Sequence, residues 1–247
     1  MSFTLITICW NSAKTIERCV NSILAQTRLP DEYIFVDGGS TDGTLEKLQE
    51  FCAILEKQNV RTLIWPQIRK DGEAGIPSAW NQAITRAKGD IIALLNSDDW
   101  YEPQTIEYVS KRFEKTPDLE ILSGPVQMRA PDGVPTKVLR PQCLCLSQIL
   151  MPLKHPACFI AKKLYARTGL YDTNYKISSD YEFVLRCKRC QASIEYFDEC
   201  LVNMEAGGLA NSNRSIARNE TVRIARLYYP FSPLPYIAWL LRFLSGR

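Results

Sequence analysis

The chain has 247 residues, 46 % of them apolar and 23 % charged, the composition of a globular protein with a core large enough for one big domain or two small ones. Its net charge of +3 is too weak to argue for nucleic acid. Met1-Ser2 lead straight into an apolar stretch with no basic leader, so a cytosolic protein with reduced thiols is expected.

That first stretch, residues 3–9, reads as a strand. Asn11-Ser12 are expected to cap a helix reaching about residue 26, with Ile16, Val20, Ile23 and Leu24 on one face. A second strand covers residues 33–36, and a helix starts at Ser40 or Thr41 and runs through Leu45, Leu48 and Phe51. A third strand at 60–65, a helix at 76–87 and an apolar run at 91–95 complete the first half. Such alternation predicts a parallel sheet with helices on both faces, and ligands in that architecture bind beyond the carboxyl ends of the strands. In the second half, residues 119–128 and 134–139 flank a Pro131-Asp132-Gly133 turn like a hairpin. A short strand is expected at 157–160 and a helix at about 180–190.

Polar clusters follow every strand of the first half. The run from Ile91 to Leu95 ends in Asn96-Ser97-Asp98-Asp99, two adjacent carboxylates beyond a core strand. Like charges repel there unless something positive joins them. A helix cap explains Asp99 but does not require Asp98 as well. Gly38 and Gly39, in Asp37-Gly38-Gly39-Ser40, let the backbone approach a ligand, and a helix-capping Asx turn explains the same residues. Neither a GxGxxG nor a Walker lysine motif is present. Nine cysteines include a lone CxxC (Cys187, Cys190) and a CxC (Cys143, Cys145), and the only histidine is His155, so buried thiols are expected rather than structural zinc.

Four motifs in order carry a resemblance: TICWN (7–11), VDGGSTDGT (36–44), AWNQAITRAKGDIIALLNSDDWYEP (79–103) and SSDYEFVLR (178–186). Together they resemble the inverting family 2 glycosyltransferases of the GT-A fold, most closely the bacterial branch that builds surface polysaccharides. The resemblance runs from Met1 to about Met204. It implies an α/β, Rossmann-like, mostly parallel sheet, a smaller acceptor-side lobe and a C-terminal helical tail. The implied division is a glycosyltransferase domain at 1–210, with a nucleotide-binding half (1–100) and an acceptor-binding half (101–210), and a tail at 211–247.

By the same resemblance, Thr7 and Asn11 match the part that touches base and ribose, and Asp37 matches the acid that pairs with uracil. Glu73 stands where relatives often carry Asp, a departure from the pattern. Asn81, Asn96, Ser97 and Asp99 fall in the nucleotide-sugar-binding set. Asn96-Ser97-Asp98 occupies the place of the DxD motif, with Asp98 as ligand of a divalent Mn²⁺ or Mg²⁺. Such a cation neutralises the charge of the departing diphosphate. Asp180 matches the catalytic base that takes the proton from the acceptor hydroxyl. As an alternative, Asp180 caps the helix that follows it. Glu182 is the alternative base, and His155 faces the acceptor side. No histidine follows Asp180, so a metal ligand that some GT-A enzymes take from there is absent or replaced. Residues 205–215 look like a segment that closes over the donor, with Arg214 toward the diphosphate.

The implied reaction moves a sugar, from UDP most simply, to a hydroxyl of a glycan or lipid-linked oligosaccharide. A sugar nucleotidyltransferase and a non-catalytic nucleotide-sugar binder are the rivals. Charge is uneven along the chain: residues 211–247 hold six arginines and one acid, Glu220, which leaves about −2 for the rest. Residues 236–244 are apolar apart from Arg242, far short of the ~20 a spanning helix needs. Prolines 230, 233 and 235 predict a basic helix, a kinked connector and a short apolar helix. The expected partner is the inner face of the cytoplasmic membrane. The alternative is packing on the domain itself or on a second subunit in a homodimer.

Overall fold

The computed structural model describes residues 1–68, 75–207 and 213–244. The first half alternates as β1 (Phe3–Cys9), α1 (Ile16–Leu24), β2 (Glu32–Asp37), α2 (Thr44–Glu56), β3 (Arg61–Pro66), α3 (Ile76–Ile84) and β4 (Ile91–Leu94). Then come β5 (Trp100–Tyr101), α4 (Thr105–Lys115), β6 (Ile121–Ser123), β7 (Val126–Arg129) and β8 (Pro135–Leu139). The chain ends in β9 (Cys158–Ala161), α5 (Lys162–Thr168), α6 (Ser179–Arg189), β10 (Ile194–Tyr196), β11 (Val202–Glu205), α7 (Arg214–Tyr228) and α8 (Leu234–Leu244).

Seven strands form the main sheet in the order β10-β6-β9-β4-β1-β2-β3. All its pairings are parallel except those of β9, which is antiparallel to both β4 and β6. The mostly parallel sheet is thus as expected. Strand alternation divides its side chains between two cores. Phe3, Leu5, Tyr33, Phe35 and Ile91 meet Ile16, Val20, Leu48 and Val109 from α1, α2 and α4. On the other face, Ile6, Ile34, Ile92 and Leu94 meet Trp80, Leu164 and Phe183 from α3, α5 and α6.

Several boundaries differ from the sequence expectation. The first helix begins at Ile16, not after Asn11-Ser12. Asn11 takes φ 50°, and its side chain accepts the Thr41 N–H at 2.9 Å, which ties the segment to the next loop instead of to a helix. The second helix starts at Thr44, because the Asp42 carboxylate accepts both the Thr44 N–H (3.1 Å) and its hydroxyl (2.5 Å). Residues 119–128 are not one strand. They break at Gly124-Pro125 and send β6 to the main sheet and β7 to a second sheet, β5-β11-β7-β8. A Cβ on Gly124 would lie 2.0 Å from the Phe197 ring, so glycine lets that ring pack against the backbone where the chain changes sheets. The β7–β8 hairpin itself forms, antiparallel, around residues 131–133.

The tail follows the expected order of helix, connector and helix. Ile224 and Ala225 of α7 bury themselves against Tyr175, Tyr181 and Leu185. Among the described residues no helix is long and apolar enough to cross a membrane.

Candidate functional site at the carboxyl ends of the strands

β4 hands the chain to Leu95, whose N–H still joins the ladder by donating to the Ile6 carbonyl at 2.9 Å. The backbone then turns, with the Asp99 N–H on the Asn96 carbonyl at 3.1 Å. This turn sets four polar side chains at the strand end. Ser97 Oγ lies 2.8 Å from Ser12 Oγ in the loop after β1. Asn96 Nδ2 lies 3.0 Å from His155 Nε2, while its Oδ1 is buried with no partner. Asp99 is 2 % exposed, and its Oδ2 is likewise buried with no partner. A buried acceptor without a donor costs about 1–3 kcal/mol, more when charged. Burial pushes both the Asp98 and Asp99 carboxyls up from their ordinary range, and the Asp98 charge pushes Asp99 further.

The positive group facing these acids is Arg18, in the first turn of α1. Its guanidinium donates to the Asp98 carbonyl at 3.2 Å, pairs with Glu205 and stacks 3.8 Å over the Trp100 ring. Neither Arg18 nor Glu205 stood out in the sequence. The one clue was that two adjacent acids need a cation nearby.

His155 opens a short 3₁₀ turn (His155–Ala157), where its ring packs 5.3 Å from that of Trp80. Burial pushes its pKa down to about 4, so the imidazole is neutral near pH 7. The Asn96 amide lies 3.0 Å from Nε2 and, with Trp80, orients the ring.

Asp180 sits at the second position of α6, so the capping alternative fails: Ser178 holds the cap position, with no side-chain cap bond of its own. Asp180 Oδ1 accepts the Tyr181 N–H at 2.8 Å. Burial pushes its pKa up to about 6, opposed by that hydrogen bond and by the Lys154 ammonium. Lys154 and His155 are neighbours, so the turn they share links Asp180 on one side to Asn96 on the other. The cap alternative for Asp99 fails too, since α4 begins at Thr105 after Gln104.

Other expected site residues have different duties. Thr7 is fully buried, its hydroxyl 3.0 Å from that of Tyr33. Asn81 uses both ends of its amide on the backbone of Tyr171, at 2.8 and 2.9 Å, and so staples the loop before α6 to α3. Glu182 is buried against Arg186 (2.6 and 3.1 Å) and accepts from the Tyr228 hydroxyl at 2.7 Å, which removes it as an alternative base. Asp37 closes its own loop by accepting from Gly39 N–H (2.9 Å), Ser40 N–H (3.0 Å) and Ser40 Oγ (2.6 Å). Asn11 is exposed beside that loop. Glu73 lies outside the described residues, as do residues 208–212 of the expected closing segment. Arg214 is exposed at the start of α7.

Among the described residues no group of three His, Cys, Asp or Glu is arranged to hold a metal, and the nine cysteines are free thiols. The adjacent carboxylates of Asp98 and Asp99, one with an orphaned buried oxygen, fit a cation that takes its remaining ligands from a substrate. Mg²⁺ and similar ions bind in this way, through one or two carboxylates and phosphate oxygens.

Residues 4–143 match the family described as Glycosyl transferase family 2. The chain is 28 % identical over 215 residues to the PGL/p-HBAD biosynthesis glycosyltransferase of Mycobacterium tuberculosis, covering 85 % of this chain and 79 % of that protein. It is 40 % identical over 106 residues to the chondroitin synthase of Escherichia coli, covering 43 % of this chain but only 14 % of that protein. The structure superposes on S. aureus TarS 1–349 in complex with UDP with a TM-score of 0.72 at 18 % identity, over 99 % of this chain and 72 % of the other. A longer TarS chain is spanned over 44 % of its length. The mannosyltransferase PcManGT from Pyrobaculum calidifontis, in complex with GDP-Man and Mn²⁺, gives a TM-score of 0.69 at 16 % identity, over 97 % of this chain and 69 % of that one. These neighbours have the GT-A fold, and the chain shares it.

Proposed function

The chain belongs to glycosyl transferase family 2, and on that premise we propose that it moves a sugar from a UDP-sugar to a hydroxyl of a glycan or lipid-linked oligosaccharide, inverting the anomeric carbon. The TarS complexes with UDP and UDP-GlcNAc support the choice of nucleotide. The observation that carries the reading is Asp180, a carboxylate with its pKa raised to about 6 beside Lys154, whose neighbour His155 contacts Asn96 at the end of β4. A general base works best with a pKa near the operating pH.

In this reading the donor lies across the ends of β1, β2 and β4, with its diphosphate at Asp98 and Asp99. A divalent cation bound there supplies Lewis-acid stabilisation of the departing diphosphate. Asp98 would hold the ion, and the PcManGT complex with GDP-Man and Mn²⁺ supports the use of a divalent cation. Arg18 keeps the two acids at a tolerable mutual repulsion. Asp180 accepts the proton of the acceptor hydroxyl as its oxygen bonds to the anomeric carbon and the sugar–phosphate bond breaks. One displacement leaves an inverted glycoside, a nucleoside diphosphate and protonated Asp180. Neutral His155, fixed by Asn96 and Trp80, forms the wall between the two carboxylate groups on the acceptor side.

Asp180→Asn tests the reading. Transfer is expected to fall by about 10²–10⁴-fold, with donor binding kept. In the wild type, kcat/KM rises as pH passes through about 6 and Asp180 ionises. Near-normal turnover by Asp180→Asn would remove the base from this mechanism.

A further inference from the structure

The helical hairpin of α7 and α8 leaves an apolar face uncovered. Trp239 of α8 reaches Asn219 of α7 at 3.3 Å, and the guanidinium of Arg226 lies 5.4 Å over the Tyr236 ring. These contacts fix the inner side of α8. Away from those contacts, Ile237, Leu240 and Leu241 are half exposed or more, Leu227 of α7 is 63 % exposed, and Phe231 in the connector is 99 % exposed. Several large apolar side chains left exposed on one short hairpin mark an interaction surface. Beside it runs a groove of about 590 Å³ bordered by Arg223, Arg226, Tyr236 and Trp239. Arg218, Arg223 and Arg226 lie over aromatic rings, and among the described residues none of the three has a carboxylate ion-pair partner.

The charge decides what covers the strip. Residues 211–247 sum to +5, so a second copy docked face to face would set two strongly basic tails together. An anionic lipid surface instead offers apolar depth for the strip and phosphate for the arginines. We propose that α8 and the outer face of α7 form a docking surface for an anionic bilayer, with α8 lying in the headgroup plane. The nine free thiols suit the reducing, cytoplasmic side of that membrane. The proposal complements the lipid-linked acceptor of the functional reading, but its test is independent of activity.

In flotation, the full chain is expected to rise with vesicles containing phosphatidylglycerol and to stay behind with pure phosphatidylcholine. The double variant Ile237→Glu with Leu241→Glu, on exposed positions, should lose flotation while its circular dichroism is unchanged. Arg223→Gln with Arg226→Gln should lower partitioning by roughly 30-fold, about fivefold per arginine. No flotation of the wild type overturns the proposal. So does an Ile237→Glu/Leu241→Glu variant that still floats, or one whose only change is a dimer turned monomer in sedimentation.

A separate contact joins α7 to the site. The Glu220 carboxylate accepts the backbone N–H groups of Lys176 (2.8 Å), Ile177 (2.9 Å) and Ser178 (2.9 Å). These donors immediately precede α6, and Ser178, which holds the cap position, makes no side-chain cap bond. Glu220 thus does from another helix what a capping side chain does locally. We infer that Glu220 is a positioning residue for Asp180, holding the segment that aims it, an inference that rests on Asp180 being the base. Lys154 from the 3₁₀ turn, Cys158 of β9, Tyr171 and Glu220 are the titratable groups around Asp180.

Glu220→Ala is expected to lower kcat about tenfold or more with donor KM unchanged. Glu220→Gln should restore most of kcat and move the acid limb of the pH profile to lower pH, since a negative charge near Asp180 is gone. If kcat per folded molecule and the acid limb stay at wild-type values in both variants, Glu220 is only structural. If Asp180→Asn itself keeps activity, the functional reading fails first.

Discussion

Two strands of the sheet end in acids, and the two ends differ in what they leave undone. Beyond β2, Asp37 accepts three hydrogen bonds from its own loop, so the turn is complete without a ligand. Beyond β4, Asp99 and Asn96 each bury an oxygen with no partner, and Asp98 sits beside them with its ionised form disfavoured by burial. A fold gains stability from the first arrangement and loses it in the second. The same sequence pattern, an acid after an apolar run, is therefore closed on its own loop at one strand end and left with unmet acceptors at the other.

The sharpest way to break this comparison is to remove each acid. Asp98→Ala should nearly abolish transfer, by about 10³-fold or more, with the fold intact; near-normal turnover in a chelator-treated assay would end the metal assignment. Asp37→Ala should do the reverse in kind, lowering stability in urea unfolding by about 2–3 kcal/mol because three donors lose a charged acceptor. If Asp37→Ala is as stable as wild type, its loop is not held as described.

A smaller effect sharpens the comparison on the acceptor side. The folded pKa of Asp180, raised to about 6 from an ordinary 3.8, means that the fold favours the protonated carboxyl. That stabilisation is fully present below about pH 4 and is lost as pH rises through about 6. Asp180→Asn avoids the loss, so it should melt later than wild type at pH 7.5, by about 1 kcal/mol after discounting for solvent access, and alike at pH 4. A variant less stable than wild type at pH 7.5 would show that the carboxylate is well solvated or paired.

Much of this was legible in the sequence because it is local. The alternation from β1 to β4 shows in runs of apolar residues whose period and length are set by burial on both faces. The helix holding Asp180 and the strand-end acids followed directly. The helix starts were misplaced because Asn11 and Asp42 bond across loops, to Thr41 and to Ala13 as well as Thr44. The second sheet escaped notice because its strands are short, two to five residues, and pair out of sequence order. Side-chain duties set by distant partners were hidden altogether. Arg18 meets Glu205 across 187 positions, and Asn81 meets Tyr171 across 90. The resemblance marked Asn81 as a site candidate and Glu182 as an alternative base, and their partners show other duties.

Thermal unfolding of the full chain with a panel of nucleotide sugars, with and without Mn²⁺, for wild type and Asp98→Asn, tests the central claim most directly. A donor that binds the folded state at a hundred times its Kd stabilises it by about 2.7 kcal/mol, which at this size is roughly 5–10 °C. The account predicts that rise for a UDP-sugar with wild type only when Mn²⁺ is present, and none for Asp98→Asn. An equal rise without Mn²⁺, or in the variant, would contradict it.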